Sequence, residues 1–395
     1  MSSFSATDSM SRPPSAQRSR GSAYWRDLDW VLLVAAVGVT IFGSVLVWSA
    51  SRADMASEND PQSYLKRHLI NVVVAMVLGF FASRLDYRWL RAYTPIIYIG
   101  SVLLLLVVFI PGLGTSIAGA RAWIDLPGGF TIQPSEFAKI AIIIMMAAIL
   151  AEKRDFESEP HDRDVLMSVG VAVLPILIIL VQNDTGTVLV LGSVALSIIA
   201  VSGARRRWVI GLIGGAIIGI LLAVQLGLLQ SYQVSRLTSF LNPTGAPVGA
   251  TYNATQARIA VGGGGWTGYG LFEGPQTQGK FVPVNESDFI FTVVGEELGF
   301  AGSALLILLF CVILWRAIRV AQKADDLYGR LIATGVVAWL AFQTFENIGM
   351  TLGIMPITGI PLPLVSAGGT SMMSTWIAIG LLENVRLHSA RTSLT

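Results

Sequence analysis

Ten predominantly apolar stretches alternate with polar segments along the chain, at about 30–50, 69–83, 93–110, 135–151, 165–182, 185–203, 208–230, 289–315, 331–350 and 367–385. About 20 apolar residues suffice for a helix to cross the hydrocarbon of a bilayer. The pattern therefore predicts an all-α integral membrane protein with about ten transmembrane helices. Two polar segments stand out. Residues 111–133 place Gly and Pro toward both ends of an Arg-x-Trp centre, and residues 231–287 form the longest non-spanning region, a large loop between the seventh and eighth helices. Loops of that length are usually functional or linkers. Within it, Gln256–Ile259, followed by Val261, is expected to form a short interfacial helix.

Composition agrees with this pattern. Of 395 residues, 53% are hydrophobic and only 13% charged, against about a quarter charged in soluble domains. Mean hydropathy is +0.65. The single cysteine, Cys311, excludes a disulfide within the chain, and His68, His161 and His388 are too scattered for a histidine metal cluster. The net charge of +2 gives no footprint for nucleic acid. What matters is where the charges sit. With both termini placed in the cytoplasm, nineteen of the 27 basic residues fall on the inner side, as the excess of Lys and Arg in cytoplasmic loops requires. The remaining eight (Arg52, Lys66, Arg67, Arg121, Lys139, Arg236, Arg258 and Lys280) lie on or near the outer face. Residues 1–27, rich in Ser, Pro and Arg at their start, are expected to be a disordered cytoplasmic arm. No apolar core follows a short basic start there, so the arm does not read as a signal peptide. A membrane domain then spans 28–388, and 389–395 form a short cytoplasmic tail.

The stretch FVPVNESDFIFTVVGEELGF (281–300) carries the candidate chemistry. A polar, turn-like run ends in Asp288, and the eighth apolar run begins at Phe289. A carboxylate where an aqueous loop enters a membrane helix is costly to keep, and partial desolvation raises its pKa toward that of a useful base. From spacing alone Asp288 reads first as an N-cap alongside Ser287 and only second as a catalyst, and the two roles do not exclude each other. Glu296 and Glu297 lie roughly 12–13 Å further along one straight helix, too far to share a proton with it.

Other motifs divide into plain and informative. Gly263, Gly265 and Gly268 satisfy GxGxxG, but no strand precedes them, so close backbone approach or loop flexibility replaces a nucleotide reading. The sequons at Asn253 and Asn285 are read as accidental. In QPSEFAKI (133–140), Pro134 suits a first helical turn and Glu136 its positive end. Lys139 stands either in an i,i+3 pair with Glu136 or as an anion ligand. Asp184 in QNDTGT reads as a turn-former. The segment 346–371, with Pro356, Pro361 and Pro363 among glycines, places non-helical backbone near membrane depth, where protein or a wet cavity must cover it. These features together suggest an outward-opening polar cavity. They do not separate a transporter from an enzyme.

Longer motifs carry a resemblance. GARAW (119–123), QPSEFAK (133–139), YQVSRLTSFLNP (232–243), QARIAVGGGGWTGYGLFEGPQTQ (256–278), SDFIFTVVGEELGF (287–300) and NIGMTLGIMPITGIPLPLVSAGGTS (347–371) resemble the SEDS family (shape, elongation, division and sporulation) over roughly 28–388. Met350-Thr351 and Thr358-Gly359-Ile360-Pro361 look like its RodA branch. The resemblance implies a peptidoglycan glycosyltransferase in the bacterial cytoplasmic membrane, polymerising lipid II on the outer face and releasing undecaprenyl pyrophosphate. Its essential aspartate maps onto Asp288. Arg67, Arg121, Lys139 and Arg258 are the outward-side cations available to hold pyrophosphate, and with Glu136 and Gln256 they form the expected substrate-binding set. The metal requirement is open: a divalent cation (Mg or Mn) is possible, but no dedicated cage is visible. Expected partners are a class B penicillin-binding protein transpeptidase and other elongation-complex membrane proteins, with no nucleic acid. The rival readings are a lipid-linked precursor flippase or transporter, and a non-catalytic scaffold of the wall-synthesis complex. The chain departs from the family pattern at Glu286-Ser287 (His-Thr is frequent there), at Asn183 (usually Pro) and at Ala367 (commonly Tyr). Glu286 places a second negative charge beside Asp288 and is expected to raise its pKa.

Overall fold

The computed structural model describes residues 25–55, 63–117, 119–127, 130–152, 159–227, 233–234, 236, 240 and 248–392. Most of the expected arm over 1–27, Lys153 and Arg154 of the expected cytoplasmic set, most of the 232–243 motif and the last residues of the tail lie outside these. In chain order the helices are α1 (Trp30–Met55), α2 (Ser63–Arg84), α3 (Tyr87–Val107), α4 (Pro134–Leu150), α5 (Asp162–Val181), α6 (Thr185–Val201), α7 (Arg206–Gln225), α8 (Val248–Gly263), α9 (Pro275–Gln278), α10 (Ile290–Glu297), α11 (Gly299–Lys323), α12 (Leu327–Leu352) and α13 (Gly369–Thr392). Among the described residues each of the ten apolar stretches is mainly helical. Seven of these helices (α1, α2, α3, α5, α7, α11 and α12) are long and apolar enough to cross a membrane. α4 and α6 have 17 residues each. The protein is a multi-pass, mainly helical membrane protein.

The interior lies where α4, α6, α12 and α13 meet, around Ile142, Ile143, Val194, Ile198, Leu331, Trp339 and Ile379, all at most 1% exposed. The outer surface is apolar too: α7 has no buried residue. A helix apolar all round and unburied by protein must be covered by lipid.

Segment 111–133 forms a three-stranded antiparallel sheet, β1 (Gly114–Ile117), β2 (Ala120–Leu126) and β3 (Phe130–Ile132), in the order β1-β2-β3. Gly114 pairs with Ile124, and Ile124 with Ile132. The Arg121 N–H donates to the Gln182 carbonyl (3.0 Å), tying the sheet to the end of α5. The interfacial helix expected near Gln256–Ile259 is longer than the sequence suggested, because α8 covers Val248–Gly263.

The apolar run 289–315 is not one helix. It breaks at Leu298, where Gly299 takes φ 62°, a left-handed conformation that glycine adopts without cost. A break leaves backbone groups unpaired on both sides. The glycine-rich turn after α8 satisfies them: Tyr269 and Gly270 N–H donate to the Glu296 and Glu297 carbonyls, while the Gly265 and Trp266 carbonyls accept from Phe300 and Ala301 (2.9–3.0 Å throughout). α12 ends at Gly353, φ 79°, and the proline-rich segment after it returns the chain to α13.

Candidate active site

Asp288 is the last residue but one before α10 and does not cap it. The N-cap position belongs to Phe289, with no side-chain capping bond. The capping expectation thus fails: the Asp288 carboxylate makes no capping bond to α10 and instead accepts from Ser287 Oγ (3.2 Å). The backbone around it is fixed from two directions. Asn347 Nδ2 on α12 donates to the carbonyls of both Asp288 (2.7 Å) and Ile360 (2.8 Å), joining the α10 entry to the proline-rich segment. Ser366 Oγ donates to the Ser287 carbonyl, and Ala367 N–H to the Glu286 carbonyl (2.9 Å). Phe289, 4% exposed, is anchored against Ala257, Ala260, Val282 and Ile357. α8 therefore positions Asp288 through its small residues Ala257 and Ala260.

As a residue Asp288 is half-buried. Burial pushes its pKa up to about 6; the Ser287 hydroxyl and Arg236 oppose the rise, and the Glu286 and Asp184 carboxylates add to it. The expected effect of Glu286 thus has the right sign. Gly359, φ 73°, is close enough that a Cβ there would meet Asp288 Oδ2 at 3.3 Å. Arg236 reaches the neighbouring Thr358 carbonyl through Nη1 (3.4 Å). The carboxylate is thus bordered by a guanidinium, a second acid and a glycine with no side chain to block approach.

The substrate-binding set divides. Arg67 lies on the same side, since Tyr64 is within electrostatic reach of both Arg67 and Glu286. Arg258 packs its stem against Gly353, at the start of the proline-rich segment, and donates to the Ala254 carbonyl. Gln256 lies half-buried beside Ala257 on α8. Arg121 points elsewhere: its Nη2 donates to the Ile110 carbonyl beyond the end of α3 (3.4 Å). Lys139 and Glu136 are drawn into the interior, 1% and 2% exposed and 2.7 Å apart. Lys139 also donates to Gln343 Oε1 (3.1 Å) and lies over the Trp339 ring (4.4 Å), while Ser374 Oγ donates to Glu136 Oε2 (2.7 Å). So arranged, Lys139 is a structural cation and not a surface one. Its spacing from Glu136 was legible, but the partners from α12 and α13 were not.

Three residues emerge that the sequence reading left outside the site: Arg236, Asn347 and Asp184. Arg236 had a signal, as an outward cation within a long motif, but its separation from Asp288 hid the pairing. Asp184 is the N-cap of α6, accepting from Thr187 N–H and Oγ, Gln133 Nε2 and Ser135 Oγ, and it lies within electrostatic reach of Asp288. The neighbouring Asn183 takes φ 65°, which a proline cannot adopt. The departure at that position therefore accompanies a different local turn. Among the described residues, no three His, Cys, Asp or Glu side chains converge on a metal position.

The matching family model, described as a cell cycle protein and covering FtsW, RodA and SpoVE, spans residues 29–391. The chain belongs to the FtsW/RodA/SpoVE family. It is 38% identical over 363 residues to a probable peptidoglycan glycosyltransferase FtsW of Geobacter metallireducens, covering 90% of this chain and 94% of that one. It is 38% identical to stage V sporulation protein E of Bacillus subtilis, covering 91% and 97%. Among solved structures it is similar to a chain of a peptidoglycan synthase complex that coordinates polymerization and crosslinking (TM-score 0.75, 27% identity, 92% and 98% covered). It is also similar to the rod shape determining protein RodA of Thermus thermophilus (TM-score 0.65, 26% identity, 92% and 97% covered). The matches fall on FtsW, sporulation and rod-shape members alike and do not single out the RodA branch.

Proposed function

We propose that this chain is a peptidoglycan glycosyltransferase that polymerises lipid II, with Asp288 as its general base. The observation that carries the reading is the setting of Asp288: its backbone carbonyl is held by Asn347, and its carboxylate, with the pKa raised to about 6, is bordered by Arg236 and Gly359. Such a base is ionised at neutral pH yet basic enough to take a proton in the transition state. The acceptor sugar's 4-hydroxyl gives its proton to Asp288 as its oxygen bonds to the donor's anomeric carbon. The bond from that carbon to pyrophosphate breaks, and undecaprenyl pyrophosphate leaves. The departing charge needs cations. Arg236, Arg67 and Arg258 supply them along the rim, and Arg121 joins them only if the sheet turns it inward. Among the described residues no acidic or histidine cluster would hold a divalent ion (Mg or Mn), and no step is assigned to one.

The relatives support this reading, since the FtsW match carries the glycosyltransferase name and a structural neighbour works in a complex that polymerises and crosslinks. The reading extends to place and partners: the protein works in the bacterial cytoplasmic membrane with its site facing outward, beside a class B penicillin-binding protein and other membrane proteins of the wall-synthesis complex. The test incubates purified protein and its cognate transpeptidase with lipid II, comparing wild type with Asp288→Asn. Glycan chains from wild type alone are expected. Chains from both would move the base elsewhere. Chains from neither, with the complex intact, would favour a flippase or scaffold.

A further inference from the structure

At the face rich in Lys and Arg, the start of α1 and the ends of α11 and α13 converge on Asp29, which is 2% exposed. Arg316 grips this carboxylate through Nε and Nη2 (2.8 and 2.6 Å), and Arg386 Nη1 approaches the same oxygen at 2.7 Å. Two guanidinium groups thus share one carboxylate. Arg319 and Lys323, three and seven residues beyond Arg316, extend the same strip of α11 and are exposed. Neither is ion-paired among the described residues. With Asp325, Val320 and Ser389 these groups line a cleft of about 330 Å³. Four cations face two carboxylates there. Even with the buried Glu383, which accepts from the Asp29 N–H behind the cleft, the balance stays positive.

A second observation fixes the level of this cleft relative to lipid. Trp315, 49% exposed, lies under both guanidinium groups, with Arg319 5.1 Å and Arg316 5.5 Å from its ring. Leu305, Leu308 and Ile318 expose an apolar stripe along the same helix. Tryptophan collects where hydrocarbon meets headgroups, so the cleft opens at phosphate depth, at the end of a lipid-facing stripe. Basic pockets between helix ends at that depth bind lipid phosphate.

We propose that this cleft binds the phosphodiester headgroup of an anionic phospholipid. Arg319 and Lys323 contact the phosphate, while Arg316 and Arg386 supply the field behind it and remain tied to Asp29. A bound lipid would join the ends of α1, α11 and α13 at the opposite end of α11 from the Asp288 loop, and the proposal does not depend on the glycosyltransferase reading.

The test uses the full chain in detergent with phosphatidylglycerol or phosphatidylcholine, read by native mass spectrometry and by thermal unfolding. Wild type is expected to retain phosphatidylglycerol over phosphatidylcholine, and Arg319→Gln/Lys323→Gln to lose that retention by about thirtyfold, given the size of each surface cation's contribution. Retention should also weaken with salt. Both side chains are exposed, so the variant should unfold at the wild-type temperature in phosphatidylcholine. Were it to unfold earlier, Lys323→Glu alone carries the comparison and must lower retention more than Lys323→Gln. Equal retention of the two lipids, or undiminished retention by the variants, overturns the proposal. Protection by inorganic phosphate equal to that by phosphatidylglycerol assigns the cleft to a free anion and overturns it as well.

Discussion

The raised pKa of Asp288 ties stability to catalysis, and one substitution reads both. A rise from 3.8 to about 6 corresponds to about 3 kcal/mol at about 1.36 kcal/mol per unit. Water reaching a half-buried group reduces this to roughly 1–3 kcal/mol. Because the folded-state pKa is the higher one, the native protein holds this proton more tightly than the unfolded chain between about pH 4 and 6. The group's contribution to stability is therefore full below about pH 4 and is lost as pH rises through 6. Asp288→Asn removes the buried charge while keeping the shape, so at pH 7.5 it should unfold a few degrees above wild type, and the gap should close toward pH 4.5. The same acid sets the rate. With a pKa of about 6, roughly 97% of Asp288 is ionised at pH 7.5 but only about 9% at pH 5. Polymerisation kcat/KM should thus fall about tenfold at pH 5, whereas an unperturbed carboxylate would cost almost nothing there. Thermal unfolding and initial rates of glycan formation, both measured from pH 4.5 to 8, check the two arms. An acid limb absent above pH 5, or an Asp288→Asn protein no more stable than wild type at pH 7.5, would refute the argument.

Further substitutions probe the surroundings. Arg236→Gln removes a cation that holds the Asp288 pKa down, so the acid limb of the rate profile should move to higher pH while Glu286→Gln moves it to lower pH. Asn347→Leu deletes a buried donor serving two carbonyls, at a cost of about 2–4 kcal/mol in stability, and should lower kcat more than it raises KM. Lys139→Met leaves the buried Glu136 without its counter-charge, with only Ser374 donating to it and Trp339 to Gln343, and should cost about 3–5 kcal/mol by thermal unfolding, much of it recovered in the double variant Lys139→Met/Glu136→Gln.

Helices were legible because a bilayer imposes a coarse, unambiguous pattern: nine of the ten apolar runs correspond to one helix each among the described residues, and the tenth, 289–315, to two. What escaped was set by tertiary contact. The sheet over 114–132 has no alternation strong enough to show in sequence, and it is tied to the end of α5 by the bond from Arg121 N–H to the Gln182 carbonyl. The break at Gly299 was hidden because Glu296 and Glu297, which look like intruders in one apolar helix, serve buried donors. Glu296 accepts from Gln276 N–H and from Thr277 N–H and Oγ, and Glu297 from Ser49 Oγ. The candidate site divided the same way. Asp288 announced itself by standing at a loop-to-helix junction, but Arg236, Asn347 and Asp184 reach it across 52, 59 and 104 residues of chain. No local spacing encodes such meetings.

The glycine cluster shows how a weak motif becomes a strong constraint once its neighbours are known. Gly264 follows directly on α8, and a Cβ there would run into the Gly295 carbonyl on α10, which is backbone and cannot swing aside. Gly295 answers with its own close approach, since a Cβ on it would lie 3.0 Å from Val261. α8 and α10 are thus held backbone to backbone, with Ala257 and Ala260 reaching Phe289, the residue after Asp288. Gly264→Ala should therefore force α8 away from α10, costing about 1–3 kcal/mol as overpacking does. The shift should pass through Phe289 to Asp288 and lower kcat by more than the loss of folded protein accounts for. Gly262, two residues earlier on the same helix, has nothing within 4 Å of a Cβ. Gly262→Ala should stabilise α8 by about 0.5–1 kcal/mol and leave kcat unchanged. Measured side by side by thermal unfolding and lipid II turnover, the two substitutions must part in opposite directions. If Gly264→Ala behaves like Gly262→Ala, close approach is not what holds α8 to the Asp288 loop.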